Sequence, residues 1–559
     1  MESNKRTLQI IIELLKQNNI NQIVISPGGT NAEFIRLVQD DDFFECYSVV
    51  DERSAMYFAI GLYLQTGKVI AASCTSAQAT RNYVPGLTEA FYKRVPILAL
   101  TMEKHQRFIG QEYMQAPHQD SLPDDCVKKT FSMPYISDVN DEYHAIRVVN
   151  EAILELCHEG NGPVQLCIPW LDFEISGQSP DIRKISRHTT VKDVQEQLPG
   201  KKIMIVVGEH RPFQEQEIKA IERFCDSYNC VVYTNHLSNY NGKYKFNGNF
   251  VFSTISLEIF ANQYAPDILI SIGGQTGDYP FYLIFSKPQV EKTVHWRVSE
   301  DGKIIDTYDK LTDVFAVSEI AFFSSFLEAK SNHSYYEQFI DLDKKINRNI
   351  ELPFSNAYIA QKMHSIIPDK SVVQFAILNS LRIWNLFPLH SSIECYSNVG
   401  AFGIDGGLST LIGQSMVSEE LCFMITGDLA FFYDMNSLGI RGIKNNLRIL
   451  LINNNGGIEF KLWKGKDPQT DRYVAAANHF KNAKGWAETC GFKYISAMSE
   501  TECEVYLPEF VEKSEKPILF EVFVSDEDES KAYKELIQNN RSLTINDILK
   551  KGIKKLVSR

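Results

Sequence analysis

The amino-acid sequence predicts an α/β protein made of three consecutive doubly wound parallel-sheet domains. Apolar runs of about five to seven residues alternate with longer helical patterns along nearly the whole chain. Such runs are typical of parallel strands that helices cover on both faces. Unusual polar residues follow several runs, at the carboxyl ends of predicted strands, where open parallel sheets bind ligands. A length of 559 residues suits about three domains.

The first predicted domain covers residues 1–180. Its predicted strands are "QIVISPG", "CYSVV", "KVIAASCTS", "VPILALT" and "PVQLCIPW". The N-terminal stretch "MESNKRTLQIIIELLKQNN" predicts an amphipathic helix rather than a signal peptide. A polar stretch, "SGQSPDIRKISRHTTVKDVQEQLPGKK", is typical of a linker.

The second predicted domain covers residues 195–335 and the third covers residues 352–559. The second is a shorter α/β unit with "KIMIVVGEH", "CVVYTNH" and "DILISIGGQTG". The third carries "SVVQFAILNS", "ECYSNVG", "LCFMITGD", "LRILLINNN" and "PILFEVFVSD". Because the unusual polar residues follow strands of the first and third domains, we expect the chemistry there.

The composition is that of a globular protein, with 44% hydrophobic and 23% charged residues. A net charge of −13 argues against nucleic acid or an anionic membrane as partner, and the basic end "KKGIKKLVSR" is expected to be a solvated helix end. The 11 cysteines include no Cys-x-x-Cys pair, which favours buried free thiols over disulfides or a zinc site. No uncharged apolar run approaches the ~20 residues of a membrane span. We therefore expect a cytoplasmic protein.

Two strand ends in the third domain carry a pattern of hard oxygen ligands. Gly427, Asp428 and Leu429 follow "LCFMIT", and the run "NNNGG", which contains Asn455, follows the next strand. A strand–helix–strand unit would bring Asp428, Asn455 and a loop carbonyl, assigned to Gly457, together as ligands for Mg²⁺ or Ca²⁺. The glycines also allow a diphosphate close to the backbone at a helix N-terminus. Two ordinary strand-end turns are the alternative.

These motifs resemble the diphosphate-binding motif of thiamine-diphosphate-dependent enzymes, and the domain order resembles their pyrimidine-binding, central and diphosphate-binding domains. Within that superfamily "YSNVGAFGIDGGLST", "GDLAFFYDMNSL" and "INNNGG" are most similar to SEPHCHC synthase, the carboligase of menaquinone biosynthesis. The similarity covers nearly the whole chain and is strongest over residues 23–100 and 395–460. It implies thiamine diphosphate and Mg²⁺ as cofactors.

The resemblance implies two catalytic residues. The first is Glu52 in "VVDERSAMYFAIGL", whose carboxylate would hydrogen-bond the aminopyrimidine ring and favour the tautomer that activates the cofactor. The alternative is that Asp51 or Glu52 only caps the helix beginning there. The second is Gln115 in "YMQAPHQD", which matches a glutamine near the reacting carbon and has a surface amide as its alternative.

Further positions match cofactor-binding residues of the family. Ile404 in "GAFGIDGG" matches the apolar residue wedged between the two cofactor rings, with an ordinary core isoleucine as its alternative. The loops "ISPGGTNAEF" and "CTSAQATRNYVPGL" resemble the pyrimidine side, and "ILNS" resembles a strand-end pair beside cofactor or substrate. These motifs add to the expected cofactor-binding set Pro27, Thr75, Ser76, Asn379 and Ser380.

The sequence departs from the SEPHCHC synthase pattern where that family uses arginines to bind 2-oxoglutarate and isochorismate. Thr30 and Val399 stand at two arginine positions, a third falls near Trp384 with Arg382 close by, and "MEKHQ" replaces an Asp-Arg-Pro motif. Since Thr or Val cannot replace a bidentate guanidinium, we expect a rebuilt acceptor pocket that does not take isochorismate. Candidate replacement cations, each with a solvated surface charge as its alternative, are Lys104, His105, Arg107, His118, Lys461 and Lys464.

The prediction is a thiamine-diphosphate- and Mg²⁺-dependent enzyme that decarboxylates a 2-oxo acid and transfers the resulting acyl anion equivalent to an acceptor. Simple decarboxylation and acetolactate-synthase-like activity stay open. A non-catalytic scaffold is disfavoured because Glu52, Asp428 and Asn455 are all present. The motif "SIGGQTG" is too weak to predict FAD. The family builds each site between the first domain of one subunit and the third of another, so we expect a homodimer or a dimer of dimers.

Overall fold

The computed structural model describes most of the chain. The described residues are 2–137, 139–170, 186–303, 305–308, 310–326, 332–464, 469–476, 479 and 481–541. Residues 171–185, which include the first ten residues of the predicted linker, and the basic stretch at the C-terminal end lie outside them. Within the described part, no helix is both long and apolar enough to cross a bilayer.

The first sheet has six described strands, all parallel, in the order β2-β1-β3-β4-β6-β5. Its strands and helices are β1 (Gln22–Ile25), β2 (Glu45–Ser48), β3 (Ile70–Cys74), β4 (Ile97–Lys104), β5 (Thr130–Ser132), β6 (Val164–Trp170), α1 (Glu2–Gln17), α2 (Ala32–Gln39), α3 (Glu52–Thr66), α4 (Gln78–Asn82), α5 (Val84–Lys93) and α6 (Val139–Glu155). Alternate strand residues feed two cores. Ile23 and Leu98 pack with α1, α2 and α6, and Val24 and Ile97 pack with α3 and α5.

The second sheet has seven described parallel strands in the order β10-β9-β8-β11-β12-β13-β7. Its elements are β7 (Ser186–His188), β8 (Ile203–Val207), β9 (Cys230–Thr234), β10 (Lys245–Asn247), β11 (Ile268–Ile272), β12 (Val294–Val298), β13 (Leu311–Phe315), α7 (Glu215–Ser227), α8 (Gly248–Thr254), α9 (Leu257–Ile259), α10 (Tyr279–Phe285), α11 (Glu319–Ser324) and α12 (Ser334–Lys345). Strand β7 corrects the linker prediction, because Asp313 pairs with Ser186 and draws this polar segment onto the sheet edge.

The third sheet has six described parallel strands in the order β15-β14-β16-β17-β19-β18. Its elements are β14 (Val372–Phe375), β15 (Glu394–Ser397), β16 (Cys422–Gly427), β17 (Leu447–Asn453), β18 (Lys493–Ala497), β19 (Ile518–Phe523), α13 (Asn356–Met363), α14 (Asn379–Trp384), α15 (Gly407–Val417), α16 (Asp428–Tyr433), α17 (Ile458–Lys464), α18 (Lys484–Thr489), α19 (Glu500–Val511) and α20 (Asp526–Asn540). Counted from its own first strand, this order is the same as in the first sheet. The predicted fold class is confirmed.

The chain divides into two compact units. The first unit is Met1–Pro180 with Ala401–Asp405 and Asn455–Lys481, and the second is Asp181–Gly400, Gly406–Asn454 and Asn482–Arg559. Two segments of the third predicted domain, one of which contains α17, thus fold with the first, and the three sequence-based boundaries stay predictions.

All eleven cysteines are free thiols, as predicted. Eight of them are buried, whereas Cys157 is exposed and Cys46 and Cys490 are half-buried. Cys157 follows the end of α6, where the chain turns at the surface and no strand covers the thiol.

Candidate active site

Glu52 occupies the first turn of α3 and is buried, with 7% of its surface exposed. Its neighbour Asp51 caps the helix, since Asp51 Oδ1 accepts the N–H groups of Arg53 at 2.9 Å and Ser54 at 3.3 Å. The capping alternative therefore applies to Asp51 and leaves Glu52 without that role. Burial is the main cause that raises the pKa of the Cys74 thiol, and the negative charge of Glu52 raises it further. Glu52 thus places a carboxylate inside an apolar part of the first domain.

The two predicted pyrimidine-side loops are hydrogen-bonded to each other. Thr30 Oγ1 lies 2.7 Å from Thr75 Oγ1 and accepts the N–H of Ser76 at 3.2 Å. A Cβ on Gly28 would lie 2.4 Å from Thr75 Cβ, so only glycine allows this approach. The Ser76 hydroxyl is buried and has no hydrogen-bond partner within the described structure. Pro27, half-buried, precedes this contact in the same loop.

A buried glutamine that the sequence interpretation missed holds the second of these loops. Gln119 Oε1 accepts the N–H of Ala77 at 2.7 Å, and Gln119 Nε2 donates to the carbonyl of Met102 at 2.7 Å. Ala77 has φ +68° and ψ −120°, and Leu378 before α14 has nearly the same pair, +64° and −121°. Strained backbone of this kind in non-glycine residues collects at functional sites. Gln119 belongs to the motif that contains Gln115, but nothing in the sequence separates their roles.

Gln115 and the loop that carries Ile404 meet within the first unit. Gln115 is half-buried, has φ +59°, and its Nε2 donates to the carbonyl of Phe402 at 3.5 Å. A Cβ on Gly403 would lie 2.9 Å from Gln78, so this loop packs tightly beside the loop containing Ser76. Ile404 itself is half-buried and absent from the buried core. These positions argue against both alternatives, a surface amide for Gln115 and a core side chain for Ile404.

In the third sheet Asp428 follows β16 directly and begins α16. Its side chain is 5% exposed, and Asp428 Oδ1 accepts the N–H of Leu429 at 3.0 Å. A Cβ on Gly427 would meet no atom within 4 Å, so the backbone borders open space there. Strands β16 and β17 are neighbours, and Gly427 pairs with Ile452. The chain therefore leaves both strands at one edge of the sheet, as the sequence predicts.

The run after β17 turns sharply. Asn455 has φ +61° and is exposed, and Gly456 follows with φ +153°. The N–H of Gly457 donates to the carbonyl of Ala475 at 2.5 Å, and the Gly457 carbonyl accepts the N–H of Phe460 at 3.2 Å. Asn453 Nδ2 donates to Glu521 Oε1 at 2.7 Å, and the buried Oδ1 of Asn454 has no partner within the described structure.

Asn379 and Ser380 are the first residues of α14 and are both buried. Asn379 Nδ2 donates to Glu529 Oε2 at 3.3 Å, and its Oδ1 is buried without a partner in the described structure. Burial raises the pKa of Glu529 to about 7, the hydrogen bonds from Asn356 and Asn379 lower it, and the charge of Asp428 raises it again. Glu529 was missed because its sequence context, "DEDES", resembles the acidic first turn of a solvated helix.

The positions where the family has arginines hold side chains that the protein itself satisfies. Thr30 bonds Thr75, as described above, and Val399 is fully buried and packs near Gly277. Trp384 is fully buried, and its Nε1 donates to Asn356 Oδ1 at 3.0 Å. The nearby Arg382 is buried, where its positive charge lowers the pKa of the Asp278 carboxyl that burial raises to about 6. Thr30, Val399 and Trp384 supply no positive charge at these positions, and Arg382 is 6% exposed.

The candidate replacement cations occupy different environments. Lys104 is buried, with its Nζ 4.1 Å from the centre of the Trp170 ring. His105 stacks on Tyr135 at 4.3 Å, and burial, with the charge of Arg107, lowers the pKa of its imidazole. Arg107 and His118 are exposed, Lys461 is half-buried, and Lys464 ends α17. Arg107 and His118 fit the alternative of surface residues best, because both are exposed. Lys104 does not fit it, because it is buried against an aromatic ring.

The middle sheet has the strand order 3-2-1-4-5-6 counted from β8, with its switch point between β8 and β11. At that point the loop that follows β8 and the loop that follows β11 are hydrogen-bonded to each other. The N–H of Glu209 donates to the carbonyl of Gln275 at 2.9 Å, and that of Gly274 donates to the carbonyl of Glu209 at 2.9 Å. A Cβ on Gly208 would lie 1.8 Å from the Gly274 carbonyl oxygen. The two loops thus pack closely against each other, and the motif "SIGGQTG" stays too weak to predict FAD.

The residues of the first and third domains fit thiamine diphosphate and a divalent cation. Within the described residues, three buried oxygens at predicted cofactor loops have no hydrogen-bond partner, those of Ser76, Asn379 and Asn454, and buried polar atoms in proteins are nearly always satisfied. Gly427 borders open space beside a buried carboxylate. One carboxylate, an amide and a carbonyl form a set that Mg²⁺ accepts. The described residues hold no cluster of three or more His, Cys, Asp or Glu that could bind a metal, and the predicted set does not need one.

Comparisons with known proteins identify the family to which the chain belongs. Residues 5–122 match the model of the thiamine pyrophosphate enzyme N-terminal TPP binding domain. The chain is 33% identical to the 2-succinyl-5-enolpyruvyl-6-hydroxy-3-cyclohexene-1-carboxylate synthase of Phocaeicola vulgatus over 555 residues, covering 96% of this chain and 98% of the relative. It is 32% identical to the synthase of the same name from Bacteroides thetaiotaomicron, covering 96% and 99%. It is 30% identical to the synthase of the same name from Flavobacterium psychrophilum, covering 92% of this chain and 95% of the relative. The chain therefore belongs to the SEPHCHC synthase family of thiamine-diphosphate-dependent enzymes.

Proposed function

We propose that the protein uses thiamine diphosphate and Mg²⁺ to decarboxylate a 2-oxo acid and to transfer the resulting acyl anion equivalent to an acceptor. The observation that carries the proposal is the buried Glu52 carboxylate, whose helix is capped by Asp51 instead. A buried carboxylate is costly to keep in its charged form and is a candidate for chemistry.

The chain's own residues divide the work. Asp428, Asn455 and the Gly457 carbonyl would hold Mg²⁺, and Gly427 and Leu429 would border the diphosphate. When bound, thiamine diphosphate supplies the electron sink for the electrons released as CO₂ leaves a 2-oxo acid. Glu52 would hold a charge-assisted hydrogen bond to the pyrimidine ring, which is strong in a buried site. Gln115 would orient the reacting group from beside the Ile404 loop.

The substrate proposal is a 2-oxo acid donor with an acceptor other than isochorismate. It is supported by Thr30 and Val399, which stand at two positions where the family has arginines, and by Trp384, near which a third arginine is expected and to which Arg382 is close in sequence. Thr30 is hydrogen-bonded to Thr75, and Val399 and Trp384 are buried in the core. A carboxylate that loses a bidentate guanidinium loses its strongest partner. The donor's identity and the acceptor's identity are left to experiment.

The proposal is tested by adding thiamine diphosphate and Mg²⁺ to the purified chain and measuring CO₂ release from a panel of 2-oxo acids. Pyruvate and 2-oxoglutarate are the first pair to compare. Labelled donor then separates the two outcomes: a ligated product supports carboligation, and free aldehyde with CO₂ alone supports the simple decarboxylase. If no 2-oxo acid releases CO₂ above the rate of a Glu52→Gln control, the enzymatic proposal is wrong and the scaffold alternative gains.

We also propose that the chain forms a homodimer, alone or within a tetramer, through the outer face of α3 and α5. Tyr57, Leu64 and Tyr92 on these helices are 47%, 63% and 68% exposed. A Cβ on Gly61, between them on α3, would meet no atom. Neighbouring large apolar side chains exposed on one face are typical of an interaction surface, so we expect a second copy of the chain to cover this face. The free thiols and the acidic surface support the cytoplasmic location predicted from the sequence.

Replacing Leu64 with glutamate is expected to convert the oligomer to monomers, because a charge would then lie in an apolar interface. Light scattering after gel filtration measures the mass. Val505→Glu is the matched control, since Val505 is 66% exposed on α19 of the third domain. An unchanged mass for Leu64→Glu, or loss of the oligomer in the control, would exclude this face.

A further inference from the structure

Glu529 is a buried carboxylate behind the first turn of α14. It lies on α20 with 2% of its surface exposed and joins two other helices. Glu529 Oε1 accepts the N–H of Asn356 at the start of α13 at 2.6 Å, and Oε2 accepts Asn379 Nδ2 at the start of α14 at 3.3 Å. Both contacts use the carboxyl group as an acceptor.

The second contact fixes the orientation of the Asn379 amide. Since Glu529 Oε2 accepts, the NH₂ group of Asn379 must face it, and Asn379 Oδ1 then points elsewhere. Asn379 is 9% exposed, and its Oδ1 is buried without a hydrogen-bond partner in the described structure. An unsatisfied buried acceptor is costly unless a donor reaches it when the site is filled.

The first contact shows why Glu529 itself stays in place. Asn356, whose N–H it accepts, also receives the indole N–H of Trp384 on its Oδ1 at 3.0 Å. Asn356 and Trp384 are 1% and 0% exposed, so this part of the network is packed in the core. Glu529 is therefore anchored on one oxygen and free to direct Asn379 with the other.

We propose that Glu529 is a positioning residue, which holds Asn379 so that its amide oxygen accepts a hydrogen bond from a donor group of the bound cofactor or substrate. This inference rests on the proposed function, because that function places Asn379 beside the bound cofactor or substrate. The contact between Glu529 and Asn379 is a feature of the chain alone.

The test reverses the polarity of the pair. Glu529→Gln can turn its NH₂ toward the NH₂ of Asn379, which would make the amide rotate and present a donor to the ligand. Asn379→Asp places two carboxyl groups face to face. The double variant Glu529→Gln with Asn379→Asp restores one donor and one acceptor across the contact, keeps the net charge, and again leaves an oxygen facing the ligand.

Three quantities are measured for each variant. The Kd of thiamine diphosphate with Mg²⁺ is measured by calorimetry, the KM of the best 2-oxo acid by CO₂ release, and the unfolding free energy of ligand-free protein by urea titration. Each single variant is expected to weaken either the Kd or the KM by about 10- to 100-fold, and the double variant to regain about tenfold. A change in the Kd of thiamine diphosphate identifies the hydrogen-bond donor as a group of the cofactor, and a change in the KM identifies it as a group of the substrate. Glu535→Gln, on the same helix and 37% exposed at its side chain, is the matched control and should change neither.

Loss of binding without recovery in the double variant would overturn the proposal, since a packing defect is not repaired by exchanging the charges. An unfolding cycle without coupling in ligand-free protein would show that the contact is absent and would overturn it as well. Failure of the wild-type chain to bind thiamine diphosphate would instead overturn the proposed function, and the role of Asn379 with it.

Discussion

Replacing Glu52 with glutamine is expected to lower the rate of CO₂ release by about 10²–10⁴-fold, the usual contribution of general acid–base assistance. Glutamine keeps the shape of the side chain but cannot carry the negative charge that strengthens the hydrogen bond. Binding of thiamine diphosphate should change little, because the diphosphate and metal would be held by residues of the third domain. The turnover number and the Kd, measured on the same preparation, separate the two effects.

Asp51→Asn is the matched control, one residue away. Asparagine accepts the same capping bonds from the N–H groups of Arg53 and Ser54, so the helix should start where it does now. Near-normal turnover is expected for this variant. If Glu52→Gln also turned over normally, the role proposed for Glu52 would be wrong; if both variants lost activity, the position of the helix rather than the Glu52 carboxylate would be responsible.

Although the sequence missed β5 and β18, it was sufficient to predict five of the six described strands in each of the first and third domains. Their apolar runs are long and end in polar or glycine-rich turns, as at Gly427 and at Asn453, and a parallel sheet gathers such ends at one edge. Strands β5, β7 and β10 have three residues each and carry no comparable pattern. The pairing of β7 depends on its contact with β13, more than one hundred positions away, which no local pattern reveals.

The roles of adjacent polar residues required the structure. The sequence offered either Asp51 or Glu52 as the helix cap, and only the hydrogen bonds of Asp51 show which of the two caps α3. The same holds for Gln115 and Gln119, four positions apart, of which Gln119 holds Ala77 and Gln115 meets the Ile404 loop. Glu529 reaches Asn379 across 150 positions, a distance at which a single sequence carries no pairing signal.

The departures from the family pattern were visible as substitutions, but their consequence was not. Thr30 in place of an arginine predicted a missing cation, and the structure shows that Thr30 gains a structural task by bonding Thr75 and Ser76. Lys104 looked like a replacement cation, yet its ammonium lies against Trp170. Charge counts alone could not make that distinction, because it depends on which ring each cation contacts.

Replacing Asp428 with alanine is expected to abolish retention of Mg²⁺ and of thiamine diphosphate together. Asp428 supplies the one carboxylate of the predicted ligand set, and removing even an indirect partner of a metal ligand costs about 10–100-fold in affinity. Metal analysis after gel filtration and calorimetry of thiamine diphosphate measure both losses. Asp434→Asn is the control, because Asp434 bonds the backbone and hydroxyl of Ser409 in the same domain. Normal Mg²⁺ retention by Asp428→Ala would place the metal elsewhere.

Co-expression of Asp428→Ala chains with Glu52→Gln chains tests whether each site is built by one chain or by two. The family arrangement joins the first domain of one subunit to the third domain of another. Co-expressed Glu52→Gln and Asp428→Ala chains should then recover about a quarter of wild-type activity, since half of randomly paired dimers are mixed and each mixed dimer holds one complete site. Within one chain, however, Gln115 already contacts the Phe402 carbonyl. Two affinity tags, one on each variant, demonstrate that mixed dimers are present. If activity is then not recovered, Glu52 and Asp428 serve one cofactor from a single chain, because every chain would then carry one inactive site.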